Sequence, residues 1–156
     1  MADTPLVPEG FAFAGTFLQI VAPAALSGGA CGVMRMTMPP GNATPVHQHR
    51  DQTESIYVLS GIVRLETAGL TRVLGPGEAG VLPRHQPHRL SNGGAEEASV
   101  LVISVPGSFE KFVLAAGRPI AADGDVAMTE ADATRLGAAA AAHGISFLPE
   151  DVLAAR

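Results

Sequence analysis

The chain has a single cysteine, Cys31, no tryptophan and one tyrosine among its 156 residues. A lone cysteine excludes an intrachain disulfide and any zinc site built on several thiolates. Positive charge is also scarce: 10 Lys and Arg stand against 15 Asp and Glu, for a net charge of −5. That inventory argues against the basic patch that nucleic acid or an anionic membrane surface requires, so neither is expected as a partner. No apolar run approaches the roughly 20 residues that span a bilayer. Met1 to Gly10 carries Asp3 and Glu9 and no basic stretch, so no secretory signal is read and a cytoplasmic location is expected. Charged residues make up only 16%, against about 25% in ordinary soluble domains. That shortage fits a surface partly covered by a second subunit, and a homodimer is expected.

The apolar fraction of 47% is ample for a buried core. At this length a single globular unit is expected, in two textures. Residues 1–106 read as a β-barrel region and residues 107–156 as an Ala-rich helical extension packed on it. Short runs with strand character are Gly15 to Val21, Cys31 to Met38, Val46 to Arg50, Thr53 to Leu59, Ile62 to Thr67, Gly80 to Leu82, Arg89 to Ser91 and Ser99 to Val105. Gly and Pro punctuate them, as at Gly75-Pro76-Gly77, which suits a type II turn with Gly77 at positive φ. Many short strands at this spacing predict an all-β sandwich or barrel.

In the extension, Phe109, Phe112 and Val113 have helical spacing from Ser108 to Ala116, and Gly117 stops the run. A second helix is expected after Thr129, where Thr129 and Asp132 form a capping-box pattern. Gly144 after His143 suits its C-terminal end. Both helices are expected to cover the barrel and help a dimer, with Phe109 or Phe112 closing its mouth as the sharper alternative.

Chemistry concentrates between positions 47 and 88, which hold four of the five histidines. His47 and His49 alternate, so on a strand both rings project to one face about 6.5–7 Å apart at Cα. Two such rings can converge on one ion with bonds of about 2.0–2.2 Å. Glu54, on the following run, can add a carboxylate, and His85 or His88 a third imidazole. Alone, a His-x-His pair is more often a polar strand face. Three neutral imidazoles and a carboxylate would suit a divalent first-row metal with positions left open.

The spacing says more. Gly41, His47, His49, Glu54 and Gly61 follow one another with five, one, four and six intervening residues, and Gly77, Pro83, His88 and Asn92 follow downstream. Over residues 15–105 this resembles the two motifs of a single-domain cupin. The resemblance implies a double-stranded β-helix (jelly-roll) barrel with a short C-terminal helical extension. It also implies one metal held by His47, His49, Glu54 and His88. Iron, nickel, manganese, cobalt, copper and zinc are all compatible with that ligand set. One position departs from the pattern: His85 stands where the second motif has glycine. It is read as a solvent-facing loop residue or a partner of a ligand rather than a ligand itself.

Around this set, Met34, Met36 and Met38 form a thioether stripe, read as core packing or, more sharply, as the lining of a substrate pocket. Met36, Ile56, Phe109 and Phe112 are the candidate pocket residues. Tyr57, of opposite parity to Glu54, is expected at an interface or between sheets. Arg50 and Arg89 should point away from the metal, Arg64, Arg72 and Arg84 are read as solvated charges, and Cys31 as a small buried apolar residue. The tail, Pro106 to Phe112, Gly117-x-Pro119 and His143 to Leu148, is similar to that of quercetin 2,3-dioxygenase-like cupins. That similarity implies a dioxygenase-like oxidoreductase acting on a small enolic or phenolic, flavonol-like compound. Glu54, the carboxylate certain to be close to the site, could leave the metal transiently and act as general base toward a substrate hydroxyl. A non-redox cyclase, isomerase or lyase, and a small-molecule binding module without turnover, are the alternatives.

Overall fold

The computed structural model describes residues 10–154. The signal-segment expectation for the first nine residues lies outside them. The strands are β1 (Gly10–Phe13), β2 (Thr16–Ala22), β3 (Gly32–Met38), β4 (His47–His49), β5 (Thr53–Ser60), β6 (Val63–Thr67), β7 (Leu70–Leu74), β8 (Ala79–Leu82), β9 (His88–Ser91), β10 (Ala98–Val105), β11 (Arg118–Ile120) and β12 (Ile145–Phe147). The helices are α1 (Phe109–Ala116) and α2 (Glu130–Ala140).

All pairings are antiparallel, in two sheets. A seven-stranded sheet runs β11-β1-β2-β3-β10-β5-β8, and a five-stranded sheet runs β12-β4-β9-β6-β7. The architecture is the double-stranded β-helix with helices at its C-terminal end. Alternation builds the core between the sheets. Met34, Met36 and Met38 point inward from β3 and are buried, as are Ile56 and Val58 from β5 and Val100 and Val102 from β10. The smaller sheet answers with Val63, Leu65, Leu74 and Leu90.

The motif glycines and asparagine have structural work. Gly61 sits at φ 73° between β5 and β6, and a Cβ there would lie 2.7 Å from the Cα of Ala98. Only glycine meets both the dihedral and the space. Gly77 takes φ 86°, as the type II turn requires. Asn92 is buried, and its amide donates to the Met38 and Glu96 carbonyls at 2.9 and 2.8 Å. It ties the end of β9 to the end of β3.

The extension is less purely helical than its composition suggests. Besides α1 and α2 it returns a strand to each sheet: β11 pairs with β1, and β12 pairs with β4. Each is three residues long, too short to carry a period, so sequence pattern alone does not reveal them. β1 and β7 were also not anticipated. The capping box at Thr129 and Asp132 is formed, and Gly144 takes the left-handed conformation after a short 3-10 turn that prolongs α2. Asp132 also binds Arg118 at 3.2 Å, fastening α2 to β11.

One reading needs correction, and one is narrowed. Cys31 is half-buried rather than buried, because it precedes β3 in the turn closed by Ser27. Tyr57 is not packed between the sheets. It stands on the outer face of the larger sheet, 41% exposed, opposite Leu101 and Ala79 in register.

Candidate metal centre

Four side chains from three strands meet inside the barrel. β4 carries His47 and His49, β5 carries Glu54, and β9 carries His88, which lies directly across from His47 in the ladder. One donor atom from each of His47, His49, Glu54 and His88 lies within 4.8 Å of the others. The His47 and His88 rings are 4.2 Å apart between centroids, and those of His49 and His88 are 5.4 Å apart and nearly parallel. Glu54 Oε2 faces His49 Nε2 at 3.2 Å and His88 Nε2 at 3.8 Å.

The orientation of the rings is fixed from behind. His47 Nδ1 lies 2.8 Å from the Pro45 carbonyl, and His88 Nδ1 lies 2.9 Å from the Gln86 carbonyl. Each contact makes Nδ1 the donor and leaves the Nε2 lone pair directed inward. His49 Nε2, His88 Nε2 and Glu54 Oε1 are buried and have no hydrogen-bond partner. Buried polar atoms are rarely left this way. Several of them converging on one point is what a cation would satisfy, so the residues present fit a bound metal.

For the imidazoles, electrostatics point the same way, whereas the carboxyl would release a proton on binding a metal. Burial pushes the Glu54 carboxyl up to about 8. Burial, with the neighbouring His47 and His88, brings His49 down to about 2, and burial chiefly brings His88 down to about 3, with His47 adding to it. Burial also lowers His47, against the opposing effect of its Pro45 contact. At neutral pH the three imidazoles therefore carry free lone pairs, the form a metal needs.

The remaining residues fall into place around this centre. His85 is exposed and stands outside the cluster. It adopts φ 63° as the motif glycine would, and its N–H donates to the His49 carbonyl at 2.8 Å. Histidine enters the left-handed region more readily than most residues, which is how the loop survives the substitution. Arg50 pairs with Asp51 at the surface, and Arg89 pairs with Glu66 and Glu150 away from the cluster.

A cavity of about 50 Å³ opens beside the centre, with His47, Glu54 and His88 in its wall. Met36, Ile56, Phe109 and Phe112 all line it, whereas Met34 and Met38 pack only in the core. Phe13 meets Phe109 and Phe112 edge-on at 6.0 and 5.3 Å, and Phe109 lies 5.3 Å from the His49 ring. Sequence reasoning missed Phe13, Leu18, Leu136, Ile145 and Phe147 in this wall. They come from β1, β2, α2 and β12, whose placement depends on tertiary pairing, and Ile145 and Phe147 had only their place in the tail motif to signal them. No lysine or arginine lines the cavity among the described residues.

Residues 34–104 match the cupin domain family Cupin_2. Germin-like protein 3-8 of Oryza sativa subsp. japonica is 39% identical over 72 residues, covering 43% of this chain and 32% of that protein. The chain thus spans about a third of the length of that curated relative. Among solved structures, KdgF from Halomonas sp. superposes with a TM-score of 0.56 at 25% identity, over 62% of this chain and 85% of that one. A recombinant oxalate oxidase in complex with glycolate gives 0.53 at 27% identity, over 60% and 54%. Oxalate decarboxylase from Bacillus subtilis, at 21% identity and a TM-score of 0.58 over 66% and 28%, shares the fold. The domain match and these neighbours support a place in the cupin superfamily. Among the described residues no helix is long and apolar enough to cross a membrane.

Proposed function

We propose that this protein is a metal-dependent oxidoreductase of the dioxygenase type, acting on a small uncharged enolic or phenolic compound. The observation that carries the reading is the set of partnerless donor atoms on the wall of an almost wholly apolar cavity. A divalent transition metal held by His47, His49, Glu54 and His88 would supply a Lewis-acidic, redox-capable centre for a substrate oxygen and dioxygen. The chain's own residues do the rest. Met36, Ile56, Phe109 and Phe112 exclude water and hold an apolar body. Glu54 presents Oε2 to the imidazoles and keeps Oε1 free, so Oε1 can take the proton of a substrate hydroxyl.

The wall narrows the substrate. It has no cationic side chain to hold a phosphate or carboxylate. Its volume of about 50 Å³ is below the about 150 Å³ of an engineered cavity that holds benzene. Even a single ring requires the wall to give way, and a flavonol would require Phe147 or α1 to move outward. The resemblance of the tail to quercetin 2,3-dioxygenase-like cupins supports the reaction type.

A second reading has one observation in its favour. Glu54 lines the cavity with a buried, partnerless Oε1, which can move a proton between two substrate positions and so also serves a non-redox isomerase, cyclase or lyase. Oxygen-electrode assays decide between them, using protein loaded in turn with iron, nickel, manganese, cobalt, copper and zinc. The substrates are β-diketones, single-ring catechols and flavonols. The oxidoreductase reading expects substrate-dependent oxygen uptake that disappears in Glu54→Gln. Full turnover with zinc and without oxygen would establish the second reading, and binding without turnover would leave a binding module.

A further inference from the structure

The three imidazoles of the centre are not held alike. His47 and His88 each rest Nδ1 on a backbone carbonyl. His49 has no such support: its Nδ1 is buried and has no partner, although its Nε2 is the nitrogen that faces Glu54. A metal-ligating histidine almost always donates its other N–H to an acceptor, which fixes its tautomer and its direction. The acceptor for His49 is therefore missing from the contacts made so far.

Gln52 can supply it. This residue is 1% exposed, and its Oε1 is a second buried atom with no partner. It follows His49 by three positions, across a bend at Arg50 and Asp51 where the chain leaves the smaller sheet for the larger. The side chains in the bend pair with each other at the surface, whereas those on either side of it turn inward. Gln52 also continues the inward parity of Glu54 and Ile56. A buried amide carbonyl without a partner thus lies three positions along the chain from a buried imidazole nitrogen without one; the two are not bonded to each other in this structure but are complementary.

We propose that Gln52 is a positioning residue whose side-chain carbonyl accepts the Nδ1–H of His49 and so keeps Nε2 on the metal. The inference rests on the metal reading given above. Gln52 touches neither metal nor substrate and acts through His49. Ser108 is the rival acceptor. Its Oγ is also buried without a partner, and it precedes Phe109, which packs on His49. Ser108 stands at the N-cap of α1 but its side chain makes no capping bond, so variants of Gln52 and Ser108 discriminate between the two acceptors.

The test is equilibrium titration of the metal-free full chain with Co²⁺, read by its visible absorption. Wild type is compared with Gln52→Leu, Gln52→Glu and Ser108→Ala. Wild type is expected to bind, Gln52→Leu to bind about 10–100-fold more weakly, Gln52→Glu to recover most of that loss, and Ser108→Ala to match wild type. Wild-type affinity in Gln52→Leu, or a loss confined to Ser108→Ala, overturns the inference while leaving the metal reading intact. Absence of Co²⁺ binding by wild type overturns the metal reading itself. Should Gln52→Leu fail to fold, nitrogen-15 NMR of the zinc-loaded wild type decides. A slowly exchanging Nδ1–H on His49 in contact with the Gln52 side chain is expected, and an Nδ1–H bonded to any other group contradicts it.

Discussion

Glu54 is a carboxyl that burial raises to about 8, among imidazoles that burial lowers. The signs matter for pH behaviour. Between about 4.5 and 8 the native metal-free protein holds a proton on Glu54 that the unfolded chain has released, so stability falls as pH rises through that window. Below about 6.5 the unfolded chain protonates its histidines while native His49 and His88 stay neutral, so stability also falls on acidification. Below about pH 6.5 the two neutral imidazoles outweigh the one carboxyl, so the metal-free protein should be most stable at about pH 6.5. Metal binding at pH 7 should release about one proton, from Glu54, falling towards none well above pH 8, because the imidazoles have none to release. Calorimetry in buffers of differing ionisation heat measures this, and pH-independent binding without proton release would refute it. Phe109 tests the cavity. Phe109→Ala should cost about 3–5 kcal/mol in denaturant unfolding and admit larger aromatic ligands. Unchanged ligand size would show that the cavity is not the substrate site.

The strand that carries two of the four candidate ligands is weakly held. β4 makes one register pair with β9, His47 opposite His88, but three with β12. Hydrogen bonds from Arg50 to Gly144 and from Leu148 to Val46 flank that ladder. The C-terminal strand is therefore the principal neighbour of the strand that carries the candidate ligands, and it also brings Ile145 and Phe147 to the cavity. Ending the chain at Gly144 should weaken metal binding at least about tenfold, the scale at which support of a ligand matters. The β-type circular dichroism should remain, because the larger sheet keeps its central pairings. Undiminished affinity would show that β4 needs no such neighbour. This dependence was not legible in the sequence. The alternation of Met34, Met36 and Met38, the turn at Gly77 and the cap at Thr129 are local, and they were readable because periodicity and turn chemistry act over a few residues. β11 and β12 are chosen by what they pair with, which no local pattern encodes.

For the whole molecule, the double-stranded β-helix was legible because two spaced motifs reach across it. Gly61 and Asn92 meet requirements set by distant backbone, at Ala98 and Met38, and the four histidine and glutamate positions converge from three strands. The cavity was legible only in part, since half of its apolar wall comes from terminal segments. One surface remains unexplained by the barrel alone. Tyr57, Leu59, Val81 and Val105 stand exposed on the larger sheet, whose edge is β8. We propose that a second copy of the chain covers this face. Light scattering at micromolar concentration should give twice the chain mass, and Tyr57→Asp with Val81→Asp should halve it. A monomer in the wild type would contradict the proposal.

The most direct test of the central claim is the metal content of the purified protein after growth in balanced trace metals, wild type beside His47→Ala. The account predicts close to one divalent transition metal per chain in the wild type and almost none in a variant that keeps its circular dichroism. No metal in the wild type, or the same amount in both proteins, would contradict it.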